Sequence, residues 1–126
     1  MPAAPGPTVQ MFGLVDSRPT RAALRFFRER RANVTFVDLA RKPIAPGELR
    51  RFVERLGAAE LLDTEGKRHK ELGLGYMRLE GDEIVERLLA DNRLLRLPLV
   101  RFNNSFTAGP ADVTWKGWLA PPARTP

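Results

Sequence analysis

The chain has 126 residues, of which 43% are hydrophobic and 29% charged, with no cysteine and a formal net charge of +6. A chain of this length forms one domain and buries roughly two-thirds of its unfolded surface without help from metal or disulfide. The absence of cysteine excludes thiol and disulfide chemistry. No apolar run approaches the ~20 residues of a membrane span, and the start, Met1 to Pro7, has neither the basic nor the apolar region of a secretory signal. A cytoplasmic location is the expectation, with no cofactor or metal. The charge is uneven: Arg18 to Arg55 holds eleven Lys/Arg against four Asp/Glu, so this third of the chain carries the whole positive excess. Such a face attracts an acidic protein, nucleic acid or small anions, or it is simply a solvated basic surface. Aromatics do not interleave with the arginines as a single-strand surface requires, and no motif for sequence-specific nucleic-acid recognition is present.

In chain order, residues 1–7 read as a flexible Pro/Ala/Gly leader. A strand is expected over about Thr8–Leu14, where a short apolar run ends in Val15-Asp16-Ser17-Arg18-Pro19. A helix follows over about Pro19–Arg31, with Pro19 suited to its first turn. Ala22, Ala23, Leu24, Phe26 and Phe27 share one broad side of it, and Arg18, Arg21, Arg25 and Arg28 the other, an arginine stripe facing outward. Its N-terminus points into the loop, where unpaired backbone N–H groups and a partial positive charge favour an anion or a thiolate. Ser17 stands at that mouth.

Asn33 can end the helix, and Val34–Leu39 reads as a second strand, parallel to the first because the crossover is helical. Pro46 opens a helix to about Leu56 with Leu49, Phe52, Val53 and Leu56 at core spacing, stopped by Gly57. A short turn over Ala58–Leu62, a short helix over Lys67–Leu72 ended by Gly73, and a helix from Gly81 to about Asp91 with Ile84, Val85, Leu88 and Leu89 inward complete a helical block. Leu97–Phe102 reads as a third strand entered through Pro98, joined by a turn at Asn103-Asn104 to Ser105–Ala108. Gly109-Pro110 opens a last helix packed through Val113, Trp115, Trp118 and Leu119, and residues 120–126 read as a flexible tail. The expected architecture is α/β: a thioredoxin-like fold over residues 8–119, with a small mixed sheet (βαβ then ββα) and a helical insertion over about 46–92.

Five segments in order carry a resemblance. Met11-Phe12-Gly13-Leu14, Ser17-Arg18-Pro19-Thr20-Arg21, Lys42-Pro43-Ile44-Ala45-Pro46-Gly47-Glu48-Leu49, Lys70-Glu71-Leu72-Gly73-Leu74 and Leu94-Leu95-Arg96-Leu97-Pro98-Leu99-Val100 resemble the first strand, cysteine loop, helical entry, "K-E-L-G-L" segment and "L-L-x-R-P-I-V" strand of the ArsC/Spx group. That group comprises the glutaredoxin-type arsenate reductases, the YffB-like proteins and the Spx transcription regulators, and the resemblance covers about Val9–Leu119. It implies that Pro98 is preceded by a cis peptide. It also implies a loop thiolate that attacks arsenate or a disulfide, with two arginines holding the oxyanion.

Here Ser17 and Thr20 stand at the two cysteine slots. The arginine of the helical block falls on Asp63 or Glu65, and the arginine before the proline falls on Leu97, with Arg96 one position earlier. A hydroxyl needs a neighbouring base to become a nucleophile, and the lone His69 is expected to be a solvent-exposed helical side chain rather than that base. The expectation is therefore a non-catalytic protein that binds a partner through Arg18, Arg21, Arg25 and Arg28. The resemblance to Spx implies the RNA polymerase α subunit; the stripe alone implies only an acidic surface. The alternatives are a small-anion binder (phosphate or arsenate) using Ser17, Arg18, Arg21 and Arg96, or a residual arsenate reductase or glutaredoxin-like oxidoreductase.

Overall fold

A computed structural model describes residues 7–120; the expected flexibility of the leader and the tail falls almost entirely outside these residues. The elements are β1 (Thr8–Gly13), α1 (Arg18–Glu29), β2 (Asn33–Asp38), α2 (Pro46–Leu56), α3 (Ala58–Leu61), α4 (Lys67–Glu71), α5 (Gly81–Ala90), β3 (Leu99–Phe102), β4 (Ser105–Ala108) and α6 (Asp112–Leu119), with single 3-10 turns at Leu74–Tyr76 and Asn92–Leu94. The four strands form one sheet in the order β2-β1-β3-β4. The β1–β2 pair is parallel, from Thr8 opposite Asn33 to Gly13 opposite Asp38; the β1–β3 and β3–β4 pairs are antiparallel. This is the mixed sheet of a thioredoxin-like fold, with α2 to α5 inserted between β2 and β3.

The period-2 alternation of a strand divides the core in two. Val9 and Met11 of β1 and Val100 of β3 face α1 and α6, where they meet Phe26, Phe27 and Trp115. Phe12 and Leu99 face the helical block and pack with Leu49, Phe52, Leu61, Leu88 and Leu94. On the first side the Trp115 ring lies edge-on to Phe26 with centroids 5.5 Å apart and tilted against Phe27 at 5.1 Å, and its indole N–H donates to Thr107 Oγ1 at 2.9 Å.

Several details differ from the sequence expectation. The helix α1 starts one residue early and stops at Glu29, because Arg31 takes a left-handed conformation (φ 60°) before the chain enters β2. Asn33 is thus the first residue of a strand, not the end of a helix. Ala22 is exposed, so the packed side of α1 is narrower than the wheel indicates. The third strand begins at Leu99 rather than Leu97: the Leu97–Pro98 peptide is cis, and Pro98 has no N–H to give to a ladder. Val113 is 85% exposed and takes no part in the packing of α6, which rests on Trp115, Trp118 and Leu119.

One glycine fixes how α1 meets the sheet. A Cβ on Gly13, at the end of β1, would lie 2.6 Å from Thr20 Cγ2 and 2.7 Å from Thr20 Oγ1. The first turn of α1 closes on the strand through this gap, and Thr20 is fully buried there. Gly13→Ala forces the two apart and is expected to cost about 1–3 kcal/mol, as overpacking a dense interior does. Chemical denaturation of the variant against the wild type checks this.

Candidate functional site

The loop between β1 and α1 delivers Ser17 to the head of the helix. Ser17 is the N-cap, with extended backbone (φ −83°, ψ 121°), and its Oγ accepts from the Thr20 N–H at 3.3 Å. Its own N–H donates to the Leu14 carbonyl at 2.9 Å, and its carbonyl accepts from the Arg21 N–H at 3.0 Å. The hydroxyl therefore does the work of a capping residue, satisfying one of the helix's orphan donors.

Ser17 opens onto a cleft of about 600 Å³, lined by Leu14, Asp16, Arg18 and Pro19 on one side and by Asp63, Gly66 to Arg68, Glu71, Arg93, Leu95 and Leu97 on the other. The second wall is held together by backbone pairing. Asp63 N–H donates to the Leu94 carbonyl at 2.9 Å and Arg96 N–H to the Leu61 carbonyl at 2.8 Å, around a single bridge between Leu62 and Leu95. This pairing places Asp63 in the cleft, where its carboxylate lies against Gly66: a Cβ there would come within 2.6 Å of Oδ2. Glu65 is exposed and does not line the cleft. Of the two acidic residues the sequence left open, the cleft takes Asp63.

Two of the cleft's cations, Arg68 and Lys67, are answered from within. Arg68 donates through Nε to Asp91 Oδ2 and through Nη1 to Glu71 Oε1 at 3.3 Å, and Lys67 lies 3.9 Å from Glu71. Asp91 also accepts from the Arg93 N–H at 3.0 Å. Burial pushes the Asp91 carboxyl upward, but the hydrogen bonds from Arg68 and the Arg93 backbone, with the charges of both arginines, bring it below the ordinary range. The same bond to Asp91, helped by Glu71, raises the Arg68 guanidinium. Asp63 and Asp16 add two more carboxylates to the lining.

Two residues expected to hold an anion are not in this cleft. Arg21 turns back to the Val15 carbonyl (Nη1, 3.1 Å) and lies with Leu24, Arg25, Arg28 and Glu29 on the outer side of α1. Arg96 is drawn to the Leu62 carbonyl (Nη2, 3.2 Å) and its stem packs at Gly109, with Nε buried and without a partner among the described residues. Thr20 points into the β1 contact rather than the cleft, its Oγ1 also without a partner among the described residues. His69 is 8% exposed, not a surface residue; its ring lies beside Gly75 and does not line the cleft. The cations that do reach the cleft besides Arg18 are Lys67, Arg68 and Arg93. The i,i+3 and i,i+4 spacing of Arg68 and Lys67 to Glu71 was readable; the Arg68–Asp91 pair, 23 residues apart, was not.

The model of the ArsC family matches residues 16–116. The chain belongs to the ArsC family. Solved structures of similar shape agree on the fold. A YFFB protein matches with a TM-score of 0.82 at 18% identity, covering 89% of this chain and 99% of that one. The arsenate reductase from Vibrio cholerae matches with a TM-score of 0.70 at 19% identity, over 82% of this chain and 91% of that one. An arsenate reductase (ArsC) related protein from Brucella melitensis matches with a TM-score of 0.68 at 15% identity, over 94% and 98%. No curated protein matches the chain. Among the described residues, no helix is long and apolar enough to cross a membrane. This ArsC-family chain has no cysteine at all.

The Arg68–Asp91 pair has a pH signature. A carboxyl depressed in the folded state adds stability that is fully present above the unfolded value, about 3.9 for Asp, and is lost as pH falls through the folded value. Denaturation followed from pH 6 downward is expected to show wild type losing stability below about pH 4, with a smaller loss over that window in Asp91→Asn.

Proposed function

We propose that this chain is a non-catalytic ArsC-family protein that acts by binding an acidic protein surface. The observation that carries the first half is the state of Ser17: the residue at the thiolate position is a hydroxyl already engaged as a helix cap, in a chain without cysteine. A hydroxyl needs a general base, and no histidine lines the cleft. The carboxylates Asp16, Asp63 and Glu71 oppose an oxyanion there, and Arg68 and Lys67 are already paired. The small-anion reading and the residual-reductase reading are both weakened by this lining.

The second half rests on α1. Arg18, Arg21, Arg25 and Arg28 are all exposed, and among the described residues none of them forms an ion pair. A row of guanidinium groups without carboxylate partners steers toward negative potential and forms forked bonds with carboxylates. The resemblance to Spx supplies the candidate partner, the α subunit of RNA polymerase, and without a cysteine pair such binding would be indifferent to redox state.

Two measurements test the proposal. Ser17→Cys is expected to yield a thiol that labels with a disulfide reagent but gives no arsenate reduction above background with glutathione and glutaredoxin, because Asp63 and Leu97 remain; turnover at an enzymatic rate in the variant or the wild type overturns the non-catalytic reading. Purified RNA polymerase α subunit is expected to bind wild type in a salt-sensitive manner and to lose about tenfold or more in affinity with Arg21, Arg25 and Arg28 all changed to Ala, each removed charge-assisted contact being worth roughly 1 kcal/mol. Undiminished binding by that variant would count against the arginine face.

A further inference from the structure

Among the described residues the two ends of the sheet order are open, and β2 is the longer of the two edge strands, six residues against four in β4. In a parallel pair, alternate residues turn both backbone groups toward the neighbour and the residues between them turn both away. Asn33 N–H donates to the Pro7 carbonyl and Leu39 N–H to the Gly13 carbonyl, so the odd-numbered residues face β1. Val34 and Phe36 therefore direct N–H and C=O outward, and among the described residues nothing on that side receives them. The strand has no proline, bulge or inward charge between Val34 and Val37, the devices that usually disable an edge.

What lies beside that edge decides what can join it. Phe26 of α1 faces α6 through Trp115. Leu24 is on the opposite flank of the helix, away from α6, and because α1 packs on β2 that flank lies toward the β2 edge. At 100° per residue Arg21 and Arg28 follow Leu24 around the helix toward solvent. The edge thus has backbone groups to offer on the strand and an arginine row on the shoulder above it.

We propose that β2 accepts an extended acidic segment of a partner protein as a fifth strand. Its backbone pairs with Val34 and Phe36, and its carboxylates, at every second position, meet Arg21 and Arg28. Strand addition takes affinity from main-chain bonds and specificity from alternate side chains. A second copy of this chain fits poorly. Pairing β2 with itself continues one sheet, sets both α1 helices on the same face and brings their arginine rows together as like charges. The proposal rests on the acidic-partner reading above and gives the partner its shape.

The test uses a fluorescein-labelled, end-capped octapeptide of alternating Glu and Thr, and the same peptide N-methylated at alternate residues in either register. The unmodified peptide is expected to bind wild type, to slow amide exchange at Val34 and Phe36, and to lose at least tenfold in affinity against the Arg21→Ala/Arg28→Ala double variant. At least one N-methylated form should lose at least tenfold too. If both N-methylated peptides bind as well as the parent, or if the slowed amides lie elsewhere, strand addition is wrong while arginine-dependent binding still supports an acidic partner. If no peptide binds but the α subunit does, strand addition is again wrong. If the protein alone dimerises with Val34 and Phe36 protected, the occupant is a second copy and the proposal is overturned.

Discussion

Thr20 lies fully buried against Gly13, and the missing Cβ of that glycine is what lets the first turn of α1 sit directly on the end of β1. The geometry of the cleft descends from this contact. It fixes where the helix begins, hence where Ser17 caps it, hence where the loop of Val15 and Asp16 crosses the mouth. The same seating turns Phe26 and Phe27 toward Trp115 on one flank and leaves the arginines on the other. A helix pinned at its first turn has little freedom to roll, so the division between its packed and charged sides is a matter of structure and not only of pattern.

The wall opposite Ser17 is built on a different principle. There the residues come from three short segments stitched by backbone bonds between Leu61–Asp63 and Leu94–Arg96, and their charges largely cancel. Arg68 has two carboxylate partners and Asp91 two donors. Such a network resists an incoming anion, which must compete with carboxylates already in place. An oxyanion site needs donors left waiting in a dry pocket; here Lys67 and Arg68 are already paired, and Asp16, Asp63 and Glu71 share the lining with Arg18 and Arg93.

Most of the fold is written in local patterns. The strand–helix–strand start, the Pro46 helix with its Leu49 and Phe52 stripe, and the hairpin at Asn103 each follow from periodicity and turn chemistry within a few residues. The errors share a cause. Helical spacing alone places Val113 and Ala22, and spacing gives a direction but not what stands in that direction. On α6 the sheet contact is taken by Trp115, so Val113, two positions earlier, is turned to solvent; His69 is buried with its ring beside Gly75, a contact no periodicity foretells. The site was legible where it depends on one segment (Ser17, Arg18, Leu97) and illegible where it depends on two. Arg96 and Arg21 have side chains long enough to reach several acceptors, and both found backbone carbonyls outside the cleft.

The aromatic joint on the other side of the sheet has an optical consequence. Both tryptophans of the chain sit on α6: Trp115 buried and bonded to Thr107, Trp118 stacked on Phe102 with ring centres 5.7 Å apart. The single tyrosine, Tyr76, stands far away in exposure, almost entirely in water. Indole emission from this molecule therefore reports on one place, the seat of its last helix.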